Sequence, residues 1–221
     1  GKGTRMKSDM PKVLHTIFNK PLLGYVLDSV NNIGFIDENY VVVGHEAQKV
    51  EAFVKSEYNN AKCILQSPQL GTGDAVNKIT PFISDFNGYI LVVCGDTPLI
   101  TAKTLQKFIE YHDENNADLT VMSAIFENPA NYGRIIRKSD GKVDCIVEEK
   151  DALPEEKAID EINTGIMVLP THKIAEWTSS LKNANAQGEY YLTDIVKWAV
   201  AKGLNVQSHI LNDNEDRKST R

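Results

Sequence analysis

"YILVVCGD", residues 89–96, decides how the chain is put together. An unbroken apolar, largely aliphatic run stops abruptly at a glycine and a carboxylate. A strand that is apolar at every position, rather than at alternate ones, has both faces covered, as happens inside a sheet with helices on either side. "YVVVG" (40–44) and "CILQ" (63–66) share this texture, and each also ends in glycine or a polar residue. Around them lie amphipathic stretches of helical period: "PLLGYVLDSVNNIG" (21–34), "EAQKVEAFVKSEY" (46–58) and "GTGDAVNKITPFI" (71–83). "TAKTLQKFIEYHDEN" (101–115), with Thr101 as N-cap, then leads into a further strand, "LTVMSAIF" (119–126). This strand–helix rhythm predicts an α/β fold with a Rossmann-like, doubly wound, mainly parallel sheet.

Beyond about residue 130 the texture changes. "GRIIRKSDGKVDCIVEE" (133–149) reads as two strands joined by the hairpin signal "SDG". "NTGIMVLP" (163–170) is another strand, followed by the helix "THKIAEWTSSL" (171–181). The last regular stretch expected is "YLTDIVKWAVAKG" (191–203), a helix ended by Gly203. Repeats, low-complexity segments and linkers are absent. One domain is expected over 1–211, with a small substrate-side lobe inserted late and a polar tail over 212–221.

Length and composition permit an ordinary core: 221 residues, 42% hydrophobic and 24% charged. The formal net charge of -6 argues against a protein that coats nucleic acid or anionic lipid, since both need basic faces. Cys63, Cys94 and Cys145 are odd in number and far apart, and no zinc spacing is present. They are expected as free thiols in a reducing cytoplasm. With no signal peptide and no apolar run long enough to cross a bilayer, the reading is of a soluble cytoplasmic protein.

In a doubly wound sheet, ligands collect at the carboxyl ends of the strands. The sequence places Gln66, Asp96 and Asn163 there. The opening "GKGTRMKSDMPK" (1–12) offers glycine amides at Gly1 and Gly3, with Lys2, Arg5 and Lys12 as cations for an anion. It is neither a Walker A loop nor G-x-G-x-x-G, and a solvated glycine turn accounts for it as well. If it also follows a strand, that strand would precede Gly1, so the chain reads as truncated inside its fold. Loss of a central strand would expose two neighbouring edges and make these residues prone to aggregation when expressed alone. In "LQSPQLGTGDAV" (65–76), Gln66 with Gly71 and Thr72 can read the edge of a pyrimidine; a glycine-rich helix cap beside a surface glutamine is the structural alternative. Asp96 is a hard oxygen donor suited to magnesium, or a turn aspartate. "NYGRI" (131–135), "IVEEKDA" (146–152), "EINTGIMV" (161–168) and "NAQGEYYLTD" (185–194) carry the glycine, carboxylate and amide types that bind sugar hydroxyls. Each alone also fits a turn, an acidic surface run, a strand-edge amide or a helix cap.

Taken together and in this order, the stretches resemble the sugar-nucleotidyltransferase superfamily. They are most similar to the uridyltransferase domain of the bacterial bifunctional N-acetylglucosamine-1-phosphate uridyltransferase/glucosamine-1-phosphate acetyltransferases. The resemblance is carried by G-x-G-T-R-M with P-K, by "PKVLH", "QLGTGDA", "YGRI", "IVEEKDA", "EINTGI" and "NAQGEYYLTD", and extends to about residue 210. It implies transfer of UMP from UTP to N-acetylglucosamine 1-phosphate with Mg²⁺ as cofactor, serving peptidoglycan and lipopolysaccharide precursor synthesis. Gly1, Lys2, Gly3, Arg5 and Lys12 would then cradle phosphates, Arg5 and Lys12 being catalytic. Gln66, Gly71 and Thr72 would read uracil, and Asp96 would hold the metal beside the nucleotide. Gly133, Glu148, Asn163, Tyr191 and Thr193 would take the sugar. The family's metal-site asparagine has no counterpart in "NDNEDRKSTR" (212–221), and its β-helix acetyltransferase domain, through which the parent enzyme is expected to form a homotrimer, is absent. The rival readings are a thymidylyltransferase acting on glucose 1-phosphate and a non-catalytic UDP-sugar-binding module. Neither nucleic acid nor membrane is expected as a partner.

Overall fold

The computed structural model describes residues 10–211. Gly1, Lys2, Gly3 and Arg5, and the tail over 212–221, lie outside the described residues. A 3₁₀ turn at Lys12–Leu14 leads to the short strands β1 (Thr16–Ile17) and β2 (Lys20–Pro21), then α1 (Leu22–Asn31), β3 (Asn39–Val43), α2 (Ala47–Glu57) and β4 (Ala61–Leu65). Next come α3 (Thr72–Asn77), α4 (Thr80–Ile83), β5 (Tyr89–Val92), α5 (Ala102–Glu114) and β6 (Leu119–Ile125). The later half holds β7 (Arg134–Arg137), β8 (Val143–Val147), α6 (Pro154–Lys157), β9 (Glu161–Pro170), α7 (Ile174–Ser179), α8 (Asp194–Ala201) and β10 (Val206–Ile210).

The apolar strands are covered on both faces, and their alternate residues enter different cores. Val41 and Val43 of β3 pack with Leu23 and Leu27 of α1 and Val50 and Val54 of α2. Leu91 and Val93, with Val168 of β9, meet Leu105 and Phe108 of α5. On the other face, Val42, Ile90, Val92, Val121 and Met167 join Val76, Trp177 and Ile195 from α3, α7 and α8. Phe108, Trp177 and Ile195 are fully buried. The six-stranded sheet built on β9 and the separate β3–β4 pair are thus both covered by helices on two faces, a doubly wound arrangement. Thr101 caps α5 by accepting from the Thr104 amide at 3.1 Å, and Gly203 follows α8 at φ +73°, as their sequence positions suggest.

Strand direction follows the mainly parallel expectation, since β5, β6 and β10 run the same way; β9 and the lobe hairpin are the exceptions. β3–β4 and β6–β10 are parallel. By contrast, β9 runs antiparallel to β5, β6 and β7, and β7–β8 is an antiparallel hairpin. The cause is the connection. A parallel strand needs a crossover, such as α5 between β5 and β6, whereas the chain returns from β6 through the β7–β8 lobe and enters between those two strands, antiparallel to both, as β9. β10 also continues the regular structure beyond Gly203. Its inward Ser208 hydrogen-bonds the Glu161 carboxylate at 3.1 Å, which breaks the apolar pattern that would have marked a strand. On their facing edges, neither β3 nor β5 has a strand partner among the described residues. The three cysteines are free and half-buried. No helix among the described residues is long and apolar enough to cross a membrane.

Two buried polar groups fasten the layers. Arg134, 1% exposed, holds the lobe together. Its guanidinium donates to the carbonyls of Tyr132, Ile159 and Lys157 and pairs with Glu149 at 2.8 Å. Arg134→Ala should therefore cost about 2–3 kcal/mol of unfolding free energy, measured by urea titration, because several acceptors lose a charged donor. His112 is fully buried, with Nδ1 2.7 Å from the Thr120 hydroxyl and Nε2 unpartnered. Burial holds its pKa below the ordinary histidine value, despite the opposing charges of Asp113 and Asp118. The unfolded chain gains a proton below about pH 6.5 while the folded ring does not, so stability is present above that pH and falls as pH drops toward the folded pKa. His112→Gln, which keeps a partner for Thr120, should flatten the dependence of Tm on pH between about 7.5 and 5.5 relative to the parent; an equal slope would rule the ring out.

Candidate active site

A cleft of about 1400 Å³ runs between β3 and β5 and continues across the carboxyl ends of β3, β4 and β5 to the lobe. Lys12, Gln66, Gly71, Thr72, Asp96, Gly133, Glu148, Asn163 and Thr193 all line it. These come from seven separate stretches of the sequence. Tyr191 does not line it: the ring is buried behind the wall, and its hydroxyl accepts from Gln187 Nε2 at 2.9 Å. Its structural part is to support the 185–194 segment.

On the cleft wall, the loop from Gln66 to α3 is fastened to that distant segment. Tyr190 N–H donates to Leu70 O at 2.7 Å, Gly73 N–H donates to Tyr190 O at 2.8 Å, and Leu192 N–H donates to the Thr72 hydroxyl at 2.9 Å. The Thr72 hydroxyl is therefore a brace. Gly71 is required twice over: its φ is +112°, and a Cβ there would lie 2.6 Å from Tyr190 O. Gln66 is 8% exposed, and its Nε2 donates to Gly71 O at 2.9 Å and to Asp74 Oδ2 at 2.7 Å.

Also lining the cleft, the Lys12 ammonium meets Asp96 Oδ2 at 2.5 Å, joining the 3₁₀ turn to the loop after β5. Nearby, the Cys94 thiol is pushed up to about 11, first by burial and then by the Asp96 charge, so it stays protonated and unreactive at neutral pH. Among the described residues no group of three or more His, Cys, Asp or Glu gathers as a metal cage. Asp96 is the hard oxygen available to a cation in this part of the cleft, which fits magnesium: that ion takes one or two carboxylates and completes its shell with phosphates and water.

At the lobe end, a bulge in β9 places Asn163. Gly165 has φ +82°, and the β6–β9 register shifts between Val121 and Ser123. Asn163 Oδ1 accepts from Gly165 N–H at 3.1 Å, which leaves the Nδ2 hydrogens as donors. Its backbone N–H donates to Gly133 O at 2.8 Å, so two of the expected sugar residues are directly bonded. Glu148 Oε1 accepts from the Thr193 hydroxyl at 2.9 Å, and Glu148 Oε2 lies 3.4 Å from where a Cβ on Gly133 would be. Burial raises the Glu148 pKa, with Asp194 and Asp151 adding to the effect and the Thr193 hydrogen bond opposing it. The segment behind is tied down as well: Lys150 Nζ donates to Gln187 Oε1 at 2.6 Å and Ala186 N–H to Asp151 Oδ1 at 2.8 Å. Asp74 was not among the residues singled out from sequence. Its motif was visible, but nothing in the spacing shows its carboxylate reaching back to Gln66.

The sequence matches the nucleotidyl transferase family over residues 1–216. It is 45% identical over 213 residues to the bifunctional protein GlmU of Lactococcus lactis subsp. lactis (strain IL1403), covering 96% of this chain and 46% of that protein. It is 44% identical over 211 residues to the bifunctional protein GlmU of Geobacillus sp. (strain WCH70), covering 95% and 45%. The chain thus spans about half the length of these curated relatives. Among solved structures it is similar to a Bacillus anthracis protein assigned as a glucose-1-phosphate thymidylyltransferase and crystallised with sucrose, with a TM-score of 0.77, 20% identity and coverage of 96% and 84%. HddC from Yersinia pseudotuberculosis gives a TM-score of 0.68 at 18% identity, covering 92% and 82%. At those identities the two structures speak for the fold, which they share with this chain. The family match and the relatives together show that this chain belongs to the nucleotidyl transferase family.

Proposed function

We propose that this chain transfers UMP from UTP to N-acetylglucosamine 1-phosphate, giving UDP-N-acetylglucosamine and pyrophosphate. One observation carries the reading: an amide suited to a pyrimidine edge, a lysine–aspartate pair suited to phosphates, and a carboxylate and amide suited to sugar hydroxyls line one and the same cleft. Identity of 45% to a bifunctional protein GlmU supports the same reading.

The attacking group is a phosphate oxygen, already anionic at neutral pH, so no general base is needed. The barrier is repulsion between two polyanions. Lys12, held beside Asp96, can turn its ammonium to an incoming phosphate; Arg5 and the amides of Gly1, Lys2 and Gly3 would complete the cradle. Asp96 would hold a magnesium ion, which when bound neutralises phosphate charge. Gln66, Gly71 and Thr72 would seat uracil. Glu148, oriented by Thr193, would accept from sugar hydroxyls, the Nδ2 of Asn163 would donate, and Gly133 would leave the room they need, so the phosphate is presented in line. The product would feed cell-wall and lipopolysaccharide precursor synthesis in the cytoplasm, and the parent enzyme would be a trimer through its β-helix domain.

The test is pyrophosphate release with magnesium, crossing UTP and dTTP with N-acetylglucosamine 1-phosphate and glucose 1-phosphate. Turnover confined to UTP with the N-acetylated sugar is expected; preference for dTTP and glucose 1-phosphate would overturn the reading. Lys12→Ala should lower kcat by about 10²-fold with little change in the sugar-phosphate KM. Asn163→Ala should do the reverse, raising that KM about tenfold while the KM for UTP stays put.

A further inference from the structure

Gln66 has an amide that could present either end to the cleft, and its neighbours decide which. The side-chain nitrogen lies 2.9 Å from Gly71 O and 2.7 Å from Asp74 Oδ2. One partner is a carbonyl and the other a carboxylate, and both only accept. Turning the amide over would set its oxygen against two oxygens, so the nitrogen must point inward and both of its hydrogens are committed. Gln66 Oε1 accepts no hydrogen bond among the described residues, and it is not among the sealed, unpartnered atoms. It remains as a single acceptor at the cleft wall. Asp74 is itself held: its side chain is 11% exposed, and Lys78 Nζ lies 3.4 Å from Oδ1.

We propose that Asp74 is a positioning residue for nucleotide choice: it locks the Gln66 amide with Oε1 toward the cleft, so that the site accepts a pyrimidine carrying an N3–H and rejects cytosine. The inference rests on the uridine-nucleotide reading above. Uracil and thymine both carry a hydrogen on N3. Cytosine has a lone pair there, which would face the Gln66 oxygen. If the amide could turn over, its NH₂ would meet that lone pair and cytosine would be tolerated. Gly71 O alone does not prevent this, since losing one neutral hydrogen bond costs less than setting two oxygens, one of them charged, against a third. The lock therefore depends on the carboxylate. It separates pyrimidines by the N3 proton and leaves uracil against thymine to other contacts.

The experiment uses the full chain with Asp74→Asn and Asp74→Glu. Asparagine is nearly isosteric with aspartate but can pair with the Gln66 amide in either orientation; glutamate keeps the charge. The readouts are the ratio of kcat/KM for UTP over CTP in pyrophosphate release, thermal melting, and proton exchange at the Gln66 side-chain NH₂ by NMR. In the parent, slow exchange at that NH₂ and a clear preference for UTP are expected. Asp74→Asn should lower the UTP/CTP ratio about tenfold or more, mainly by raising the KM for UTP, and should speed the exchange. Asp74→Glu should recover part of the ratio. A structural role alone would shift melting and leave the ratio unchanged. If the parent prefers UTP but Asp74→Asn keeps both the ratio and the slow exchange, the positioning role is overturned while the function stands. If the parent shows no preference for UTP, or turns over no pair, the functional reading fails and this inference with it. If Asp74→Asn unfolds, rapid exchange at Gln66 in the folded parent overturns the lock, and slow exchange with a retained ratio in Asp74→Glu upholds it.

Discussion

Strand β9 is hydrogen-bonded to β5, β6 and β7, and the rest of the cleft hangs on that arrangement. The Tyr89–Val92 strand, which delivers Asp96, has no other strand partner among the described residues. The lobe that presents Gly133 and Glu148 joins the main sheet through a single pairing, Arg134 with Ile162. A strand with three partners must satisfy three registers at once, and β9 does so by bulging at Gly165. The bulge is where Asn163 enters the cleft. One backbone distortion thus serves both the closure of the sheet and the placement of a donor.

Among the described residues of the cleft, little is left to be organised by a ligand. The loop after β4 is zipped to the segment before α8 by three hydrogen bonds, and Gly71 packs so closely against Tyr190 that no side chain would fit. Glu148 is oriented by Thr193, Asn163 by Gly165 N–H, and Lys12 by Asp96. Glu148 and Lys12 are held by residues far away in sequence, Asn163 by the bulge of its own strand. Phosphoryl transfer gains most from such prepositioned charge and hydrogen bonding, because there is little covalent chemistry for the protein itself to perform. A second polar knot lies deeper in the sheet. Glu161 takes Arg137 at 2.7 Å through both carboxylate oxygens and also accepts from Ser123 and Ser208, joining β6, β7, β9 and β10. Burial alone would raise its pKa, and the Arg137 and Ser123 hydrogen bonds outweigh that and keep it low.

Most elements were legible from local pattern. Continuous apolar runs marked β3, β4, β5 and β6; "SDG" marked the β7–β8 hairpin, closed by Gly141 at φ +83°; Thr101 and Gly203 marked helix ends. Three strands were not. β1 and β2 are only two residues each, too short for any period, and their turn uses Phe18 and Asn19 at positive φ without a glycine to announce it. β10 carries polar residues inward, where they meet Glu161. The direction of β9 was also invisible, because "NTGIMVLP" is buried on both faces whichever way it runs. Tyr191 and Thr193 share one motif, yet Tyr191 sits behind the wall while Thr193 reaches Glu148. A period-blind segment gives no means of telling those two apart.

By itself the sequence determined the chemical kinds available: a carboxylate after an apolar strand, a glutamine before a glycine-opened helix, a glycine-bearing strand with an asparagine at its head. It also determined that the sheet would be covered on both faces, since hydrophobic burial is written residue by residue. Tertiary structure alone decided which of these groups share a cleft and which end of each is offered to it. Gln66 can donate or accept until Gly71 O and the Asp74 carboxylate claim its nitrogen. Hydrogen-bond direction is a property of pairs in space, and a linear pattern cannot encode it.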